Sequence, residues 1–133
     1  MLIAEHIIKK YQGAEILKGV DIKVEPGTIT SLIGPSGSGK TTFLKVLSLL
    51  DTPQSGTIIM DDKKYVFPMN KKHIIPPWPK VSVVFQQLFI WAHLSLRKNI
   101  ELPLKLNGTL KENSNYLESL YKMFDMKEFI DET

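Results

Sequence analysis

The segment Gly34-Pro35-Ser36-Gly37-Ser38-Gly39-Lys40-Thr41-Thr42 constrains this chain more than any other, because it fills the pattern G-x-x-x-x-G-K-[ST], a loop that works only between a strand and a helix. Glycine at 34, 37 and 39 permits positive φ and close backbone approach, so that successive N–H groups converge on phosphate oxygens. Lys40 brings a mobile charge to the β- and γ-phosphates, and Thr41 offers its hydroxyl to Mg²⁺. The helix that starts near Lys40 adds unpaired N–H groups and the positive end of its dipole. A charge-assisted hydrogen bond from Lys40 is worth about 1.5–3 kcal/mol. The ligand class implied is ATP or GTP.

The flanking sequence supplies the context such a loop needs. Thr28-Ile29-Thr30-Ser31-Leu32-Ile33, launched by Pro26-Gly27, predicts a strand. Phe43, Val46, Leu47 and Leu50 recur at helical spacing, with Leu44 and Leu49 widening the stripe, which predicts a helix from about Lys40 to Leu50 before Asp51-Thr52-Pro53 stops it. Upstream, the alternation over Leu2 to Tyr11 and Ile16 to Val24 predicts half-buried antiparallel strands. Downstream, Thr57-Ile58-Ile59-Met60 and Tyr65-Val66-Phe67, separated by Asp61-Asp62-Lys63-Lys64, predict a hairpin. The apolar run Val81-Ser82-Val83-Val84-Phe85 predicts a strand covered on both faces, with Gln86 at its carboxyl end, where open α/β sheets bind ligands. Alternation aims Gln87 the other way. After Asn113-Ser114-Asn115, the residues Tyr116, Leu117, Leu120, Tyr121 and Phe124 form an apolar helical face, whose expected role is packing. The fold class is α/β.

Composition narrows the function classes. The 133 residues are long enough for about one domain with a real core. Absence of cysteine removes disulfides and thiolate metal sites and fits a reducing compartment. Met1-Leu2-Ile3-Ala4-Glu5-His6 lacks the basic start and unbroken apolar stretch of a signal peptide, so export is not expected. The apolar neighbourhood from Val81 to Leu94 is broken by Gln86-Gln87 and His93 and falls short of the roughly 20 residues that cross a bilayer. A net charge of +3 comes from scattered lysine pairs without a basic stripe, and no nucleic-acid partner is expected.

The order of these pieces resembles the ATP-binding subunit of ATP-binding cassette (ABC) transporters. Ile16-Leu17-Lys18-Gly19-Val20-Asp21-Ile22-Lys23-Val24, Glu25-Pro26-Gly27, the phosphate loop, Ser55-Gly56-Thr57-Ile58, and Val83-Val84-Phe85-Gln86-Gln87-Leu88-Phe89-Ile90-Trp91-Ala92-His93-Leu94-Ser95 carry the likeness, which Asn99-Ile100-Glu101-Leu102-Pro103-Leu104 continues. It runs from about Leu2 to about Ile130. The resemblance implies a P-loop NTPase nucleotide-binding core with an antiparallel β layer over residues 1–87, and a glutamine loop with the start of a helical subdomain over 88–133. It implies ATP and Mg²⁺ as cofactors, with Tyr11 stacking on adenine, Lys40 and Gln86 as catalytic residues, and Thr41 and Gln86 on the metal. Partners implied are membrane permease subunits and a second ATP-binding subunit in a head-to-tail dimer, on the cytoplasmic face of the membrane. The residues Leu88 to Leu104, with the C-terminal apolar helix, would meet the permease. Trp91-Ala92-His93-Leu94-Ser95 is most similar to the polar amino-acid importers of the family; His93 itself reads as packed or solvated rather than catalytic. In Lys71-Lys72-His73-Ile74-Ile75-Pro76-Pro77-Trp78-Pro79 the prolines predict a rigid loop where many relatives carry a short helix, with Trp78 over the edge of the β layer.

Three family elements have no counterpart here: the LSGGQ signature, an apolar strand ending in Asp-Glu, and the switch histidine. Phe129-Ile130-Asp131-Glu132 imitates the Asp-Glu strand but reads as a solvated acidic helix end. By itself the chain is therefore expected to bind nucleotide weakly or not at all, and not to turn it over at a normal rate. Strand edges left unpaired predict loose packing or aggregation. Two other readings fit the same residues: a non-catalytic nucleotide-binding fragment, and a soluble ABC protein of translation or DNA repair.

Overall fold

Apolar–polar alternation in the first two dozen residues becomes a hairpin of β1 (Leu2–Tyr11) and β2 (Ala14–Val24). Gln12 and Gly13 between them both have positive φ, 48° and 85°, as a two-residue turn needs for its twist to match that of the strands. The computed structural model describes residues 1–132 apart from Pro76, Trp78, Pro79 and Leu88, and it divides into two units, Met1–Val84 and Phe85–Thr133.

In the first unit a second hairpin, β3 (Ser55–Met60) and β4 (Lys63–Phe67), joins the first to give a four-stranded antiparallel sheet of order β2-β1-β3-β4. Helix α1 (Lys40–Leu47) buries Phe43, Val46 and Leu47 in one core with Ala4, Ile7, Leu17, Ile58, Met60, Tyr65 and Phe67. Each large apolar side chain so covered contributes about 1.5–3 kcal/mol. The β1–β3 register shifts between Glu5 and Ile8, where His6 has φ 53°. Gly56 lies against that bulge so closely that a Cβ would stand 2.8 Å from the carbonyl oxygens of Glu5 and His6. Only glycine fits there, and its φ of 119° adds a second reason.

Both hairpins fulfil the sequence expectation, but the two expected parallel strands are not laid down. Thr28–Ile33 runs without a ladder, leaving Ile29 and Ile33 98% and 94% exposed, and Val81–Phe85 is likewise irregular, with Val84 99% exposed. Strands of a parallel sheet take their hydrogen bonds from neighbouring strands and their cover from crossover helices, and none flanks these segments among the described residues. Helix α1 also stops short of Leu50. The Ser48 hydroxyl donates back to the Leu44 carbonyl at 2.8 Å and Leu49 turns left-handed with φ 57°, so Leu50 lies beyond the helix and exposed. Residues 71–73 form a single 3₁₀ turn rather than an α-helix. The expectation for Trp78 falls outside the described residues.

The second unit is helical. Helix α2 (Leu96–Leu106) begins at Ser95, whose side chain accepts from the Lys98 N–H at 3.4 Å, and α3 (Ser114–Met123) follows. Leu117 and Tyr121 of α3 bury with Ile130, flanked by Ile100, Leu104, Leu110 and Met126, whereas Tyr116 and Phe124, expected on that face, are exposed. Asn99 ties the preceding loop down: it accepts from the Trp91 N–H at 2.6 Å and donates to the Trp91, Leu94 and Ser95 carbonyls at 3.0–3.1 Å. The N–H groups of Leu96 and Arg97, which a helix start leaves unpaired, donate to the carbonyls of Glu132 (3.3 Å) and Ile130 (2.8 Å). The Arg97 guanidinium meets both oxygens of Asp131, at 2.7 and 3.3 Å. Residues 129–131 lie in turns, and the carbonyls of Ile130 and Glu132 cap α2; the segment is neither a strand nor the helix end expected, although Asp131 and Glu132 are exposed as expected.

Candidate nucleotide-binding site

The glycine-bearing loop is shaped by backbone that other residues resist. A turn at Ser36-Gly37, closed by the Ser38 N–H on the Pro35 carbonyl at 3.3 Å, has φ 80° at Gly37, and Gly39 follows with φ 92°. Gly39 also passes close to β2: an added Cβ would stand 3.2 Å from side-chain carbons of Ile16 and Leu17 and 3.3 Å from the Ile16 carbonyl. The first helical hydrogen bond of α1 runs from the Phe43 N–H to the Gly39 carbonyl at 2.8 Å, leaving the N–H groups ahead of it without helical partners. The Lys40 ammonium folds over the loop and donates to the Gly34 and Pro35 carbonyls, both at 2.8 Å. Ser36, Ser38 and Thr41 are exposed and Thr42 half-buried.

Tyr11 closes β1 and comes to this loop through its phenol, which donates to Asp51 and has the Thr42 hydroxyl as a second neighbour. The hydrogen bond to Asp51, with burial and the Asp51 charge behind it, raises the Tyr11 pKa above its ordinary value; Thr42 acts the other way. For Asp51, burial opposes ionisation, but hydrogen bonds from Lys9, Tyr11 and the Thr52 N–H together with the Lys9 charge outweigh it and hold the carboxyl below the usual range. Lys9 and Asp51 were not singled out in the sequence. The available signal was strand parity: Lys9 shares the inward face of β1 with Ile7, and an inward lysine requires a counter-charge.

Within the first unit, then, Tyr11 and the segment from Gly34 to Thr42 are brought together. Gln86 belongs to the second unit, where it and Gln87 are both exposed at a bend. No strand aims one of them away from the other, as alternation predicted. Chemically, the loop offers free N–H donors, an ammonium that need only leave two carbonyls, and a threonine hydroxyl, which is the donor set for a triphosphate. Among the described residues no cluster of three His, Cys, Asp or Glu is placed to hold a metal. Mg²⁺ suits such a site because it keeps waters and phosphate oxygens and takes one or two protein ligands. No helix among the described residues is long and apolar enough to cross a membrane.

Comparison with known proteins places these features. The family profile described as ABC transporter matches residues 17–133. The lipoprotein-releasing system ATP-binding protein LolD of Leptospira interrogans is 39% identical over 121 residues, covering 90% of this chain and 51% of that protein. The L-cystine transport system ATP-binding protein TcyN of Escherichia coli is 36% identical over 83% of this chain and 46% of its own length. Among solved structures, the ATP-binding cassette MJ0796, a dimer in a post-hydrolysis state bound to ADP and Pi, superposes with a TM-score of 0.65 at 28% identity, over 80% of this chain and 47% of that one. The α/β cassette class expected from the sequence is thereby shown. The chain spans about half the length of the relatives it matches.

Proposed function

This chain belongs to the ABC transporter ATP-binding family, and from that premise we propose that it is the nucleotide-holding part of a subunit that couples ATP binding and hydrolysis to solute movement through a membrane permease. The observation that carries the reading is the loop itself, with positive φ at Gly37 and Gly39 and Lys40 at the first position of α1. In this reading residues 1–87 are the β layer and phosphate-loop core, and 88–133 the glutamine loop and the start of the helical subdomain.

The residues divide the work as follows. N–H groups from Gly34, Pro35-Ser36-Gly37-Ser38 and Gly39 to Thr42, Pro35 lacking one, face the phosphate chain at the dipole end of α1. Lys40 exchanges its two carbonyl partners for β- and γ-phosphate oxygens; Thr41 would offer its hydroxyl to Mg²⁺, and Gln86, by the family resemblance, would be a second ligand. When bound, the metal neutralises charge that builds on the transferred phosphoryl group. Tyr11 takes the adenine on its ring face. Gln86 orients the attacking water. Turnover in the family draws on signature, Asp-Glu and histidine elements besides these residues, so the role assigned to residues 1–133 is nucleotide binding rather than hydrolysis.

A second ATP-binding subunit, head to tail, and a permease on the cytoplasmic face complete the working assembly. The dimer of MJ0796 supports the first partner. For the solute, we favour a polar amino acid, on the Trp91-Ala92-His93-Leu94-Ser95 pattern and the similarity to the L-cystine protein. The similarity to a lipoprotein-releasing protein is higher, 39% against 36%, so the solute needs its own test. Nucleotide binding is tested by titrating MgATP into this protein and its Lys40→Ala variant. Saturable binding that weakens at least about tenfold on loss of the charge-assisted contact is expected; equal binding by both sinks the reading.

A further inference from the structure

Two charged residues that the phosphate loop does not use stand behind Tyr11. Lys9 is 5% exposed, and its ammonium donates to Asp51 Oδ1 and to the Thr52 carbonyl, both at 2.7 Å. The same ammonium lies over the Tyr11 ring, 4.7 Å from its centroid. Asp51 takes the Thr52 N–H on Oδ1 at 2.8 Å and the Tyr11 hydroxyl on Oδ2. An apolar residue at position 9 would fill the same inward place without the cost of burying a charge. The charged pair therefore does something that packing alone does not require.

What it does is visible at Tyr11. A tyrosine ring is set by two torsions, and here its far end is fixed by Asp51 while one face is occupied by Lys9. Tyr11 is nonetheless 42% exposed, so the ring keeps surface for a ligand beyond what Lys9 covers. The Thr42 hydroxyl beside the phenol brings the Tyr11 ring to the start of α1 and hence to the phosphate loop.

We propose that Asp51 and Lys9 are positioning residues that hold Tyr11 as a one-sided platform for the purine base of the bound nucleotide. This rests on the nucleotide reading above and extends it to two residues that never touch the ligand. Fixing the ring before binding removes the cost of immobilising it afterwards, which corresponds to about 3–10-fold in affinity. That gain belongs to the base alone, because the phosphates are held by other atoms.

The test compares MgATP with magnesium tripolyphosphate, which carries the phosphate chain without a base, by ³¹P NMR titration at millimolar ligand. It uses this protein and its Tyr11→Phe and Asp51→Asn variants. Tyr11→Phe keeps the ring and removes only its anchor at an exposed position, so it remains informative should Asp51→Asn fold poorly. Both variants are expected to bind ATP about 3–10-fold more weakly while tripolyphosphate affinity stays within about twofold. Equal losses for the two ligands, or unchanged ATP affinity in Tyr11→Phe, overturn the platform and leave the phosphate loop standing. Failure of the unsubstituted protein to bind either ligand overturns the nucleotide reading itself.

Discussion

At the scale of single residues, the Lys9–Asp51 pair sets the sharpest asymmetry. Removing one partner of a buried pair leaves the other uncompensated, so Asp51→Asn is expected to cost about 3 kcal/mol in urea unfolding. Lys9→Met should cost less, because Asp51 keeps the Tyr11 and Thr52 donors and its side chain is 25% exposed. The reverse order would show that the pair is not what stabilises the site. The pH dependence follows from the sign of the shift. The Asp51 carboxyl is held below its ordinary range, so its contribution is present above the unfolded pKa and disappears as pH falls through the folded one. Between about pH 5 and about pH 2 the parent protein should therefore lose more stability than Asp51→Asn, the two curves converging at the acid end. The phosphate loop was legible residue by residue because a fixed spacing encodes one backbone shape. Asp51 was not, since the stop signal Asp51-Thr52-Pro53 accounted for it locally while its partner lies 42 positions away in β1.

Among the elements, legibility followed how local the cause was. The two hairpins announce themselves in alternation and in Gln12-Gly13 and Asp61-Asp62, all within a few residues of the strands they join. The segments Thr28–Ile33 and Val81–Phe85 have strand-forming sequences, yet a strand in a parallel sheet exists only beside its neighbours, and no propensity substitutes for them. Helix α2 was concealed by Pro103, which argues against a helix interior; the Ser95 cap and the four Asn99 hydrogen bonds outweigh that cost. The bulge in β1 was equally hidden, because the glycine that accommodates it lies in β3, some fifty positions away. Gly56→Ala should be among the most damaging single-methyl additions in the sheet, costing about 3 kcal/mol from forced contacts and an unfavourable φ. Gly13→Ala, at a turn with open space around it, is the control that bears only the φ penalty. Equal melting temperatures for the two variants would refute the close approach.

For the whole molecule, the notable surface is apolar and belongs to segments without regular structure. Ile29, Ile33 and Val84 are almost wholly exposed, a pattern of open β-branched residues that favours association between copies. Light scattering of this chain should therefore rise with concentration, and the triple substitution of these residues to Thr should suppress the rise. Unchanged scattering would place the cause elsewhere. The helical unit raises a different matter. Its first helix is capped by its last carbonyls, so that Leu96 and Glu132 stand one hydrogen bond apart. Two N–H groups at the start of α2 thus depend on carbonyls more than thirty positions further along, so loosening residues 130–132 should unwind the first turn of α2 before the rest of the helix.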